Sequence, residues 1–420
     1  MTHLLPLLPQ IELLPLKAGL PAGQAGELTV LARITPADVP QQTQARPPLN
    51  LALVIDRSGS MSGHPLAMAR QAAQIGIHKL EAQDRVSVVT FDDEVEVLIA
   101  SQHVTDKAAL CRLIEGITAG GSTALYAGWL DGAGQVAQHL DPQALNRVLL
   151  LSDGQANCGK SGVDEIVPDV RGLTGRGVST STMGLGGGYD EDLLRGMAVA
   201  GDGNFEHIED ADDLPRFFDA EFSGLARTAG HTVSLGIEPN PALGRLRQEV
   251  LNDLQRNPLG RLQLPNLIAG RSTEVVLTLQ VPAQAVQADL GVTRVRLAWT
   301  ARDGIRRTMR AQLNLPVMDE QEYAGLPENA EVREALELQR NARVRRDAVG
   351  RLDMGDVHGA QRLLTERQMC FAEVASAAPS PRYAQELEQL VQLEQDVHLD
   401  RNMARKRASS QSYDISRSKR

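Results

Sequence analysis

Aromatic side chains make up only 3% of this 420-residue chain, so its cores must be packed from Leu, Val, Ile and Ala rather than from rings. Cysteine is scarce too. Cys111, Cys158 and Cys370 lie far apart and make no zinc or redox spacing, which argues against a disulfide framework and for a reducing compartment. No apolar run reaches the roughly 18–20 residues of a membrane helix. The opening "MTHLLPLLPQIELLPL" lacks an early Lys or Arg and a small-residue cleavage site and is broken by prolines, so it reads as a poor signal peptide. A cytoplasmic protein is the expectation. Net positive charge is also missing: the formal balance of −10 argues against retention on nucleic acid by the overall field. The nine histidines show no H-E-x-x-H spacing, and no G-x-S-x-G elbow occurs, so hydrolase chemistry has little support.

What is present is a change of pattern along the chain. Residues 1–48 hold short β-like runs, "IELLPL" and "ELTVLARIT", followed by the proline-rich "PADVPQQTQARPP". They are expected to belong to a β-sandwich. Residues 49–229 alternate strand and helix: "LNLALVID", "HPLAMARQAAQIGIHKL", "RVSVVTF", "VEVLIA", "DKAALCRLIEGI", "ALYAGWLDGAGQVAQHL", "NRVLLLS", "VDEIVPDVRGL", "VSTSTMGLG", "DEDLLRGMAVAG". Such alternation predicts an α/β fold, a doubly wound, mostly parallel sheet with helices on both faces. Residues 230–318 return to β-like runs and predict the sandwich, within which the α/β domain is inserted or which it precedes. Residues 319–404 carry apolar positions at helical spacing, and 405–420, "RKRASSQSYDISRSKR", are basic and serine-rich with no apolar face, which predicts a disordered tail.

The first α/β strand ends on an acid and runs into "DRSGS". Asp56, Ser58 and Ser60 form D-x-S-x-S, and side chains at alternate positions of an extended loop point the same way, so their oxygens can face one centre. Carboxylate and hydroxyl oxygens suit a hard divalent ion, Mg²⁺ above all, with Mn²⁺ or Ca²⁺ as alternatives. Thr123 lies in "GGSTAL" at a glycine-permitted turn before a helix, with Ser122 as the neighbouring choice, and Asp153 ends the buried strand of "VLLLSDG". All three pieces come from the strand-end side of an open α/β sheet, where such folds bind ligands. The bland alternative is that Asp56 and Ser58 merely cap a turn.

In these three motifs residues 50–228 resemble the von Willebrand factor A family with its metal-ion-dependent adhesion site. The resemblance implies that Ser58 and Ser60 ligate the metal directly, and that Thr123, Asp56 and Asp153 do so directly or through water. It also implies an open coordination position filled by an Asp or Glu of a partner protein, with no catalysis. In its sandwich and helical parts the chain resembles bacterial multidomain proteins of the calcium-activated chloride channel regulator and inter-α-inhibitor heavy chain type. The expected function is therefore a non-enzymatic, metal-dependent protein-binding scaffold, without nucleic acid or a membrane span. An accessory subunit of a ring ATPase of the chelatase kind would share this site and differ in partner.

Three other motifs compete. "GQANCGKS", Gly154 to Ser161, matches the phosphate loop G-x-x-x-x-G-K-[ST] and would make a nucleotide-binding switch with Lys160 on the phosphates, but the next strand ends in glycines rather than an acid. "GLGGGYDEDLL" has Tyr189 where a dinucleotide fingerprint needs glycine, and reads instead as the rim of the metal face with Asp190 capping a helix. "RKRASS" resembles a basophilic kinase site, with Ser409 or Ser410 as acceptor.

Overall fold

The computed structural model describes residues 8–37, 46–244 and 246–418; most of the "PADVPQQTQARPP" segment lies outside them. The chain divides into two compact units, 40–228 with 302–305, and the remainder.

In chain order the strands and helices begin with β1 (Gln10–Pro15), β2 (Leu20–Pro21) and β3 (Gly26–Thr35) of the second unit. The α/β unit then runs β4 (Leu49–Asp56), α1 (His64–Lys79), β5 (Arg85–Phe91), β6 (Val95–His103), α2 (Lys107–Glu115), α3 (Leu125–Ala137) and β7 (Leu145–Ser152). It continues through α4 (Val163–Thr174), β8 (Ser179–Leu185), α5 (Glu191–Ala200), β9 (Phe205–Ile208) and α6 (Leu214–Ala226). Its sheet has the order β6-β5-β4-β7-β8-β9. Every pairing is parallel except β5 with the edge strand β6. All eight residues of β4 and of β7 are buried, as expected for strands covered on both faces. On one face Leu51, Leu53 and Ile55 pack with Ala69, Ala73 and Ile77 of α1 and Phe218 and Phe222 of α6. On the other, α3 lies so close that a Cβ on Gly128 would stand 2.6 Å from Phe91 and one on Gly132 2.3 Å from Val54. These two glycines let the helix sit down on the strands, and so bring the loop before α3 to the end of β4. Since β4 pairs with β5 on one side and β7 on the other, the chain direction around the sheet reverses here, which opens a crevice at its carboxyl end.

The second unit continues with β10 (Thr228–Pro239), β11 (Arg247–Val250), β12 (Leu262–Leu264), β13 (Leu267–Ile268), β14 (Thr273–Val281), β15 (Gln287–Ala301) and β16 (Arg306–Met318). These strands form two sheets, β1-β3-β14-β11 and β12-β10-β15-β16-β2, with β13 beside β10. Val30, Ala32 and Ile34 from the first sheet share a core with Leu235, Val295, Leu297 and Leu313 from the second. The strands before residue 48 thus pair with those after 230, and the α/β unit is inserted between them.

Five helices follow: α7 (Glu320–Gly325), α8 (Ala330–Asp353), α9 (Val357–Ala377), α10 (Pro381–Leu399) and α11 (Arg401–Ser416). Helix α8 lays Val332, Ala335 and Leu336 on the first sheet, and α8 to α11 close on one another around Leu352, Leu364, Phe371 and Leu390. The expected disordered tail is corrected here. Residues 401–416 are helical, and Lys406, Ser409, Ser410, Ser412 and Asp414 are buried. The segment has no apolar stripe because it docks through small residues and hydrogen bonds instead. Ala404 and Ala408 join the core, Ser412 Oγ donates to Ala342 O (3.0 Å), Gln339 Nε2 to Ile415 O (3.0 Å) and Asn252 Nδ2 to Ser416 O (2.9 Å). Burial of Ser409 and Ser410 also leaves "RKRASS" closed to a kinase in the folded chain. Deleting residues 401–420 is expected to lower the melting temperature and speed amide exchange along α8. Unchanged exchange there would show that α11 contributes nothing to the bundle.

Candidate metal centre

Five oxygen-bearing side chains meet at the crevice. Asp56 is fully buried at the end of β4, and its Oδ1 accepts from the Ser58 amide (2.8 Å) while its Oδ2 accepts from Ser152 Oγ (2.5 Å). The first of these bonds is the turn cap of the bland reading, so Asp56 both shapes the loop and faces the site. Beyond it, Ser58 Oγ and Ser60 Oγ lie 3.2 Å apart, and Ser60 Oγ donates to Asp153 Oδ1 at 2.7 Å across 93 residues of sequence. Thr123 comes in from the loop before α3. A point at the Cβ position of Gly154 would be 3.2 Å from Thr123 Oγ1 and 3.8 Å from Ser60 Oγ, so the absent side chain of this glycine keeps the space between the two loops open.

Backbone bonds hold the loops in register. Gly59 N–H donates to Gly121 O (2.9 Å), Gly120 N–H to Arg57 O (2.7 Å) and Ala124 N–H to Asp92 O (2.6 Å). The paired glycines are required by the approach of two acids: a Cβ on Gly120 or Gly121 would come within 1.8 Å of the Asp92 or Asp93 carboxylate. Arg57 pairs with Asp92 (3.2 Å) and tethers the D-x-S-x-S loop to β5. Behind Asp153, Gly188 of "GLGGGYDEDLL" has room only for hydrogen, since a Cβ would lie 2.6 Å from Asp153 O. Tyr189 is buried with its hydroxyl 2.8 Å from His207 Nδ1, and Asp190 caps α5.

The electrostatics call for a cation. Burial pushes Asp56 above the ordinary carboxylate range against the hydrogen bonds it accepts. Burial also raises Asp153, to about 6, with Asp56's charge adding to the rise and the Ser60 hydroxyl opposing it. Among the described residues no Lys or Arg pairs with either acid. Two carboxylates framed by three hydroxyls, without a basic neighbour, are a donor set that fits a hard divalent ion.

Against the family models, residues 50–220 match the von Willebrand factor type A domain. The chain carries a von Willebrand factor type A domain. An uncharacterized protein of Synechocystis sp. is 30% identical over 230 residues, 54% of this chain and 52% of its own length. Human inter-alpha-trypsin inhibitor heavy chain H3 is 24% identical over 202 residues, 46% of this chain and 22% of its own. This chain thus spans about half the length of the first of these relatives and less of the second. A von Willebrand factor type A structure from Catenulispora acidiphila superposes on 99% of this chain and 98% of its own, with a TM-score of 0.71 at 16% identity, which shows a shared fold for both units.

Within the von Willebrand A domain, sequence reading missed the supporting residues. Ser152, the last residue of the strand "NRVLLLS", precedes Asp153 and donates to Asp56. Asn157 Oδ1 accepts from the Thr123 amide (2.8 Å), and the Asn157 and Cys158 amides donate to Thr123 O (3.1 and 3.3 Å), so the loop after Asp153 orients Thr123. These amides are the ones a phosphate loop would turn toward its ligand. Lys160 is likewise engaged, 2.8 Å from Asp169 and above the Tyr126 ring. Titration with ATP and Mg²⁺ is therefore expected to show no saturable nucleotide binding. Saturable binding that disappears in Lys160→Ala would restore the nucleotide reading. His64, Asp210 and Asp212, distant in sequence, also meet at the surface, where His64 Nε2 lies 2.8 Å from Asp212 Oδ1 and Asp210 caps the Asp212 amide.

Proposed function

We propose that this centre holds Mg²⁺ and that the protein is a non-enzymatic scaffold, its metal capturing an Asp or Glu carboxylate of a partner protein. Ser58 and Ser60 would ligate the ion directly, with Thr123, Asp56 and Asp153 direct or through water. The bound ion supplies an electrophilic position for an anionic oxygen. The observation that carries the reading is the Ser60–Asp153 contact beside the unneutralised Asp56, since it joins motifs from two loops at a point short of positive charge.

The chain's own residues support binding over turnover. Ser58 and Ser60 have no histidine or lysine within hydrogen-bonding distance among the described residues, so neither hydroxyl is activated as a nucleophile. Asp153, the partly accessible acid, is bonded to Ser60, which fixes its carboxylate. The test uses immobilised full-length protein and lysate from its own source, washed with Mg²⁺ or with chelator, beside Asp153→Asn. A partner retained only with Mg²⁺ and only by the unmodified protein supports the reading. Equal retention by Asp153→Asn, or retention in chelator, removes it.

A further inference from the structure

The outer face of the β12-β10-β15-β16 sheet is crowded with arginine. Core-facing positions are occupied by Val233 and Leu235 on β10, Val295, Leu297 and Trp299 on β15, and Leu313 on β16. The alternate positions therefore face outward. On β15 these include Arg294 and Arg296, and on β16 Arg306, Arg310 and Gln312. Register places Arg296 directly opposite Arg310, with Gly236 on the other side of Arg296. Arg261, just before β12, extends over Gly236, its Cγ 3.7 Å from where a Cβ would be. Three arginines thus lie in a row across the sheet, with Arg294 one pleat away.

This arrangement is unfavourable for folding alone. Like charges directly opposite on neighbouring strands destabilise a sheet. Elsewhere in the second unit arginines are matched: Arg33 with Glu274, Arg367 with Glu337, Arg405 with Asp353. Here, among the described residues, the side chains of Arg261, Arg294, Arg296 and Arg310 make no ion pair or hydrogen bond. Glu238, opposite Arg294, is the nearest acid in the register. Arg294, Arg306 and Arg310 are exposed, and Arg261 and Arg296 are half-buried. In a chain of net charge −10, so local an excess of positive charge is complementary to an external anion.

We propose that this face docks on an anionic phospholipid surface. The face spans four strands of the six-stranded sheet, and the outward side chains of β15 and β16 between Arg294 and Gln312 include no Trp, Tyr, Phe, Leu or Met, Ile305 in the turn that joins the two strands being the exposed apolar residue there. Arginine anchors protein interfaces too, but together with the aromatic side chains that this face lacks, and single-stranded nucleic acid is held by stacking on aromatic rings. Major-groove recognition inserts a helix or a two-stranded ribbon, for which a broad sheet face is the wrong shape, and sheets that bind the minor groove insert apolar wedges between base steps. A planar array of lipid phosphates meets the face without apolar insertion, and guanidinium pairs bidentately with phosphate oxygens.

The test is co-sedimentation of the full chain, in chelator so that the metal centre takes no part, with phosphatidylcholine vesicles containing phosphatidylglycerol and with phosphatidylcholine alone. Binding is expected only to the former and should vanish at about 0.5 M NaCl, as screening requires. At about fivefold per basic residue, Arg296→Gln with Arg310→Gln should weaken it by roughly 25-fold, and Arg294→Gln by roughly fivefold. Arg176→Gln, an exposed arginine of the α/β unit, should leave it unchanged. The double variant should melt no lower than the unmodified protein, because it removes a like-charge contact, and Arg294→Gln provides the second reading if it does. Absence of binding to anionic vesicles, binding equal in the variants, displacement by millimolar inorganic phosphate, or tighter binding to duplex DNA or polyglutamate than to vesicles would each overturn the proposal. None of these outcomes bears on the Mg²⁺ reading, which uses the other unit.

Discussion

Asp153→Asn is expected to melt higher than the unmodified protein in chelator and to lose the rise in melting temperature that Mg²⁺ produces. Burial and the neighbouring Asp56 hold Asp153 at about 6, so its ionised form is disfavoured in the metal-free fold. A carboxylate whose folded pKa lies above its ordinary 3.8 adds stability below that value and loses it as pH rises through about 6. Above pH 6 the metal-free protein therefore carries an unneutralised charge that asparagine lacks. Bound Mg²⁺ removes the penalty for the unmodified protein alone, so its stabilising effect should be larger at pH 7.5 than at pH 5. Affinity for Mg²⁺, read by calorimetry, should fall by at least 10–100-fold in the variant, the range seen when even an outer-shell group of a metal site is lost. A Mg²⁺-induced rise that survives the substitution would exclude Asp153 from the centre. Asparagine is preferable to alanine at Asp56 as well, since that side chain also receives Ser58 N–H and Ser152 Oγ. Truncating it would strand these groups, at about 1–3 kcal/mol apiece, and confuse folding with binding.

The second large effect is expected far from the metal. Arg345 is completely buried in α8 and pairs with Glu386 of α10, which also accepts from Asn341 Nδ2 (3.0 Å), while Arg345 Nε donates to Gln411 Oε1 (2.9 Å) in α11. Three helices thus meet on one charge. Glu386→Ala leaves that charge unpaired in the interior and should destabilise the second unit by about 3–5 kcal/mol in a denaturant titration. Replacing both partners together, Arg345→Met with Glu386→Leu, should recover most of the loss or exceed it, because the desolvation cost of both ions disappears. A double variant as unstable as Glu386→Ala would mean that packing around α8, and not the unpaired charge, sets the cost. Glu337, about two turns earlier in α8, has an acid dependence of its own. Burial raises its pKa, but Arg367, Arg340 and Arg333 lower it further, so the net shift is downward. Its contribution is present above the ordinary value of 4.5 and is lost as pH falls through its lowered pKa.

Sequence was informative wherever structure follows local rules. Strands β4 and β7, buried on both faces, read as continuous apolar runs ending on Asp56 and next to Asp153, and their alternation with amphipathic helices is the signature of a parallel sheet. The helix over 405–416, where disorder is expected from the sequence, has an equally local cause. A helix is recognised by an apolar stripe, and α11 has none; it is buried by alanines and serines small enough for close approach and by hydrogen bonds whose other halves lie up to 164 residues away.

Residue types and chain order alone determined that Asp56, Ser58, Ser60, Thr123 and Asp153 stand at strand ends and glycine turns of an α/β domain. Tertiary structure alone decided that Ser60 reaches Asp153, that Ser152 and Asn157 hold Asp56 and Thr123 in place, and that Arg296 faces Arg310. The physical reason is range: backbone periodicity acts over a few residues and can be read from a string. Charge, hydrogen bonding and burial act between whatever groups the fold brings within a few ångströms, and that neighbourhood exists only once the sheets have formed.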